Sequence, residues 1–217
     1  MVDLRLGSAE CPLRRILCLG SHCDDIEIGC GGTILRLLRE HPEVEIYWLV
    51  FSSTPVRRRE AARAASLFLA PAKKKKVVIR NYRDTLFPSQ QARIKREFEK
   101  LKKTFTPDLI LTHYRHDLHQ DHRVICELTW NTFRSHLILE YEIPKYDGDL
   151  GAPNFFVGLD RATCERKAKH ILDSFVSQRP KQWFTAETFM GLQRIRGIEA
   201  NSPGGYAEGF HCRKLVW

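Results

Sequence analysis

No stretch of this 217-residue chain approaches the ~18 consecutive apolar residues that a membrane span needs. The opening MVDLRLGSAECPLRRILCLGSH lacks the apolar core and small-residue cleavage site of a secretory signal. These two absences lead to the expectation of a cytoplasmic protein with no stable membrane insertion. The seven cysteines (Cys11, Cys18, Cys23, Cys30, Cys126, Cys164, Cys212) are odd in number and contain no C-x-x-C pair. A disulfide framework and a zinc ribbon are thereby excluded, and reduced thiols are expected. Internal repeats and low-complexity tracts are absent. Also missing is a G-x-G-x-x-G fingerprint after the first strand-like run. In its place stands GSHCDDIEIGCGG, where Asp24 and Asp25 would repel a pyrophosphate.

What is present suits one sizeable domain: 43% hydrophobic and 28% charged residues over 1–217. The formal net charge of +9 is compatible with an anionic partner. Its basic runs at 57–59 and 73–76 lack the interleaved aromatics of a nucleic-acid stacking surface, so no nucleic acid is expected. The lysine run reads as a solvated loop before a strand. Short β-branched runs at 15–19, 44–51, 76–79, 109–112 and 137–142 alternate with amphipathic segments at 32–40, 55–69, 90–104 and 121–134. That alternation predicts an α/β, Rossmann-like layered fold with a mostly parallel central sheet. Its core would span about 14–142. The remainder, about 143–217, would cap the sheet with helices at 161–175 and 185–194 and a last extended piece at 206–216.

Two polar constellations follow predicted strands. The first holds His22, Asp24, Asp25 and Glu27; the second, THYRHDLHQDHR, holds His113, His116, His119 and His122 with Asp117 and Asp121. In the common doubly wound order, strands one and four are neighbours at the switch point, where ligands bind at the carboxyl ends. The constellations would then meet. A catalytic zinc takes three protein ligands and keeps one position open, and His22, Asp25 and one His from the second loop make such a set. His41, His136, His170 and His211 have no such company and read as structural.

These residues carry a resemblance. SHCDDIE (21–27) and HQDH (119–122) resemble the A-H-P-D-D-x-E and H-x-D-H motifs of the LmbE/PIG-L family of zinc-dependent de-N-acetylases. RRREAARAASLF at 57–68 is similar to the family's R-x-x-E helix, and Ser177-Gln178, Arg196-Gly197 and YAEGF at 206–210 also match. Two departures stand out: Cys23 occupies the usual Pro position, which would loosen the loop or make it oxidant-sensitive, and Phe175 replaces a frequent His. Neither falls on a predicted ligand. The resemblance implies Zn2+, or another divalent metal, on His22, Asp25 and His122, with Asp24 as general base. It further implies a protonated His119 at the oxyanion, oriented by Asp121. Arg57 would contact substrate or the motif loop, with pairing to Glu60 as the plainer alternative, and Glu27 would support the ligands from behind; Cys23 is expected to be a bystander thiol.

The expected partner is a small N-acetylglucosamine-type amino sugar, free or phosphate-, nucleotide- or lipid-linked; a homo-oligomer is compatible with the sequence. Three other readings stand beside this one: a zinc amidase for larger N-acyl groups, a non-haem iron oxygenase built on two His and one carboxylate, and a non-catalytic basic binding module.

Overall fold

The computed structural model describes Gly7 and residues 12–216. Seven strands form one sheet in the order β3-β2-β1-β4-β5-β7-β6. β1 (Arg15–Gly20), β2 (Glu45–Ser52), β3 (Lys74–Tyr82), β4 (Leu109–His113) and β5 (Leu137–Tyr141) run parallel; β6 (Phe155–Leu159) and β7 (Tyr206–Cys212) complete the sheet through antiparallel pairings. Between them lie α1 (Asp25–Glu40), α2 (Pro55–Phe68), α3 (Phe87–Thr104), α4 (Gln120–Thr132), α5 (Arg161–Ser174) and α6 (Ala186–Glu199).

Strand periodicity sends alternate side chains into two cores. Ile16 and Cys18 of β1, with Trp48 of β2, pack beneath α1, α2 and α5. Leu17, Leu19 and Phe51 pack on the opposite face against Phe87 and Phe98 of α3 and Ile125 of α4. Burial on both faces is why these strands read as nearly continuous apolar runs.

The C-terminal segment does more than cap. β6, which no strand expectation covered, and β7 extend the sheet itself. The lysine run is also placed differently: Lys74, Lys75 and Lys76 belong to β3, an edge strand, and all three are exposed. Helix α1 begins at Asp25 rather than at Gly32, and it breaks at Cys30 (φ −144°, ψ 17°).

A buried ion pair explains that break. Lys167 Nζ donates to the Ile28 carbonyl at 2.6 Å, the oxygen whose regular helical partner would be the Gly32 amide. That amide instead donates to Glu208 Oε1 at 2.8 Å, and Thr33 N donates to Glu208 Oε2 at 2.6 Å. Lys167 and Glu208 close the arrangement at 2.6 Å. Side chains inserted into the helical ladder kink the helix. The first turn of α1, which carries Asp25, is thus held from behind by α5 and β7. Gly29 permits the close seating of this turn, since a Cβ there would lie 2.1 Å from the Tyr141 ring.

Removing one partner of a buried pair leaves an uncompensated charge. Lys167→Met should therefore cost about 3–5 kcal/mol of unfolding free energy, read as a shift of the urea midpoint at unchanged slope.

Candidate metal-dependent active site

Parallel pairing of β1 with β4 (Ile16 with Leu109, Cys18 with Leu111) places the turn after Gly20 beside the loop after His113. Ser21 links the two: its N–H donates to His113 Nε2 at 2.9 Å and its hydroxyl to the Asp121 carbonyl at 3.2 Å. The two constellations meet here, at the carboxyl ends of the strands.

Three donor atoms converge. His22 Nδ1 lies 3.1 Å from His122 Nε2 and 3.4 Å from Asp25 Oδ2, and His122 Nε2 lies 3.6 Å from Asp25 Oδ2. Ligands ~2.1 Å from a tetrahedral metal sit about 3.4 Å apart, so the triangle has the size of a zinc site's base.

The neighbours of each imidazole set its tautomer. His122 Nδ1 donates to Asp117 Oδ2 at 2.9 Å, which leaves Nε2 with a lone pair aimed at the triangle. His22 Nε2 contacts Asp84 Oδ1 at 2.9 Å and Asp121 Oδ2 at 3.2 Å, which leaves Nδ1 for the same point. Two lone pairs and a carboxylate at van der Waals distance repel one another unless a cation lies among them. Burial works to lower the His22 pKa, but Asp25, Asp121 and Asp84 outweigh it and hold it well above 6.5, which is the mark of a site that favours positive charge. Burial, with His113 adding to it, depresses His122 to about 3. The donor set therefore fits a divalent metal.

Asp24 stands beside the triangle as the N-cap residue of α1, yet its side chain makes no capping bond. Arg57 Nη2 holds Asp24 Oδ1 at 2.7 Å, and Arg57 Nη1 also reaches Glu60 at 3.1 Å. Both contacts weighed for Arg57 are thus made at once. Phe175 accounts for its own presence: its ring faces the guanidinium at 5.2 Å. Ser177 donates to Glu60 through its N–H (2.8 Å) and its hydroxyl (2.7 Å), tying the Ser-Gln pair to α2.

The orientation of His119 differs from expectation. Its Nδ1 accepts from the Asp121 backbone N–H at 3.2 Å, while the Asp121 carboxylate accepts from Thr85 N (2.8 Å) and Phe87 N (3.0 Å) and faces His22. Asp121 orients His119 only through its main chain. Burial and the nearby His22 lower the His119 pKa from 6.5, and with Nδ1 accepting that N–H the ring nitrogen left to donate is Nε2, in a residue that lines the cleft. Glu27 is fully buried, and both its carboxyl oxygens lack a partner among the described residues; burial raises its pKa well above 4.5. No side-chain hydrogen bond ties it to the triangle among the described residues. Cys23 donates its thiol to the Ser52 carbonyl at 3.3 Å, and burial pushes its pKa up to about 12.

Sequence spacing assigns no role to Asp117, Asp84 or His113. His113 is buried with Nε2 3.2 Å from Asp25 Oδ2, and its ring stacks on that of His122 at 3.9 Å. The only hint of Asp117 lies in its place within the second constellation. The cleft over the triangle, about 410 Å³ and open to solvent, is walled by Tyr146, Asp147, Gln178, Lys181 and Trp183. Because Asp117 alone fixes the His122 tautomer, Asp117→Asn should weaken zinc binding by about 10–100-fold with the fold intact, measured by titration against a chromophoric chelator.

The sequence profile of the family described as "PIG-L: GlcNAc-PI de-N-acetylase" matches residues 17–133, just over half of the chain. Solved structures with the same fold include the conserved protein TT1542 from Thermus thermophilus, with TM-score 0.71, 21% identity, and coverage of 94% of this chain and 96% of that one. The N,N'-diacetylchitobiose deacetylase from Pyrococcus horikoshii is similar at TM-score 0.63 and 21% identity, covering 93% and 84%. The 4-carboxy-2-hydroxymuconate hydratase GalB from Pseudomonas putida aligns at TM-score 0.73 and 15% identity, covering 94% and 99%. The fold is therefore one that also carries other chemistry. With both motifs, the converging ligand atoms and the profile match together, the chain belongs to the PIG-L family of de-N-acetylases.

Proposed function

We propose that the protein hydrolyses the N-acetyl group of an N-acetylglucosamine-type sugar, with a divalent metal, Zn2+ by preference, held by His22, Asp25 and His122. The observation that carries this reading is the triangle of donor atoms, 3.1–3.6 Å on a side, beside a carboxylate outside it. A metal bound there supplies Lewis acidity and a water acidic enough to ionise near neutral pH.

The chain's own residues do the rest. Asp24 has Oδ1 fixed by Arg57, and Oδ2 remains to take the proton of the attacking water. As the acetyl carbon becomes tetrahedral, negative charge gathers on its oxygen. His119 lines the cleft with Nε2–H free, and a donor so placed stabilises that oxygen without carrying charge. Asp24 then returns the proton to the departing nitrogen while the C–N bond breaks, giving acetate and a free amine. Trp183 and Tyr146 offer aromatic faces beside the polar Gln178 and Asp147, a lining suited to the mixed surface of a sugar ring.

The test combines metal content with acetate release from a panel of N-acetylamino sugars, with and without chelator. About one zinc per chain and chelator-sensitive acetate release are expected; a product other than acetate would move the assignment to a different acyl group. Asp24→Asn should keep its metal and lose about 10²–10⁴-fold in kcat. His22→Ala should lose metal and turnover together. Near-normal turnover by Asp24→Asn would remove Asp24 from the base's role.

A further inference from the structure

One wall of the cleft comes from the connection between β5 and β6, which leaves the sheet at Glu142 and supplies Ile143, Lys145, Tyr146 and Asp147. Its base is closed by Arg196, which holds Glu142 through two bonds (2.7 and 2.9 Å) and donates to the Gly151 carbonyl at 3.0 Å. Gly151 N in turn donates to Glu142 at 3.1 Å. The tip has no such closure: Tyr146 is 71% exposed, and Gly148 takes a left-handed φ of +63°.

Between base and tip sits Lys145, its side chain only 10% exposed. Its Nζ lies 3.0 Å from Asp117 Oδ2 and bonds Asp149 Oδ2 as well. Asp117 Oδ2 is the oxygen that receives His122 Nδ1–H, and Asp149 Oδ2 also accepts Leu118 N at 2.6 Å. One ammonium thus joins a carboxylate of the metal-binding segment to a carboxylate of the loop. Without it the two carboxylates would repel.

We propose that Lys145 is a positioning residue that latches the cleft wall at 144–148 to the segment 117–122, and so sets where Tyr146 and Asp147 stand relative to His119 and the metal ligands. Both sides of the latch keep other bonds: Asp117 from His119 N at 2.8 Å and from His122, and Asp149 from Leu118 N at 2.6 Å. Loss of Lys145 therefore leaves the ligand His122 in place and loosens the wall, whose Asp149 carboxylate then faces that of Asp117 unbridged. The substrate part of the following test rests on the deacetylase reading; the exchange and metal parts do not.

Lys145→Met, Lys145→Arg and Asp149→Asn are compared with the wild type in the zinc-loaded enzyme. Amide hydrogen exchange over 144–150 should quicken by about tenfold or more in Lys145→Met, as expected when a local closure is lost. KM for the sugar that the wild type turns over should rise about tenfold, with kcat within about threefold, since binding and not chemistry is affected. Zinc affinity should stay within about threefold, in contrast to Asp117→Asn. Lys145→Arg should restore exchange and KM. Asp149→Asn, which removes the other arm, should reproduce the Lys145→Met effects and carries the test by itself if Lys145→Met is poorly folded. Unchanged exchange in both Lys145→Met and Asp149→Asn would overturn the proposal. So would a loss of zinc affinity in Lys145→Met equal to that of Asp117→Asn, which would make Lys145 a support of the ligand and not of the wall. If the wild type turns over no sugar in the panel, the deacetylase reading fails while exchange and zinc affinity still decide the role of Lys145.

Discussion

Everything at this site follows from holding two imidazole lone pairs and a carboxylate within 3.1–3.6 Å of one another. Left alone, such a cluster would fly apart or take up protons. The fold counters this by fixing each member from outside: Asp117 behind His122, Asp84 and Asp121 behind His22, and the His22 backbone N–H on Asp25 at 2.6 Å. Each outer carboxylate takes an N–H from the far side of a ring and so drives the lone pair inward. The scaffold behind these carboxylates has the same purpose. Asp121 is anchored on the first turn of α3, and the broken α1 is anchored on Lys167 and Glu208.

The outer carboxylates also divide the work between the loops. Asp121, from the segment after β4, orients His22, which comes from the segment after β1. Asp117 orients His122 of its own loop. Neither constellation is complete without the other. The parallel β1–β4 pairing is thus the joint through which two sequence-distant motifs become one site.

Much of this architecture is legible in the sequence. Four of the five parallel strands, β1, β2, β4 and β5, announce themselves because burial on both faces demands nearly unbroken apolar runs, whereas the exposed edge strand β3 shows only in its short run at 76–79. The clustering of His and Asp at two strand ends points to the place where they meet. β6 is not legible: Phe155–Leu159 is short, partly exposed and preceded by a loop containing Pro and Gly, so no alternation marks it. Sequence reasoning starts α1 at Gly32 because a glycine cluster resembles a turn, whereas here Gly29 and its neighbours serve a close approach to Tyr141 and a helix broken by a distant ion pair. Carboxylate roles are the least readable. Which ring Asp121 faces, or that Asp117 meets Lys145, depends on side chains brought together from separate elements, and no local spacing encodes it.

The placement of Lys74, Lys75 and Lys76 on β3 changes what the net charge means. β3 is an outer strand, and its free backbone edge is a template onto which another chain could add by hydrogen bonding. A second copy approaching that edge would bring its own lysines to within one strand spacing, about 4.8 Å, of these. These three lysines therefore disfavour the growth of the sheet at its open side. The charge total of +9 then carries little information about what enters the cleft, which must be judged by the groups that line it.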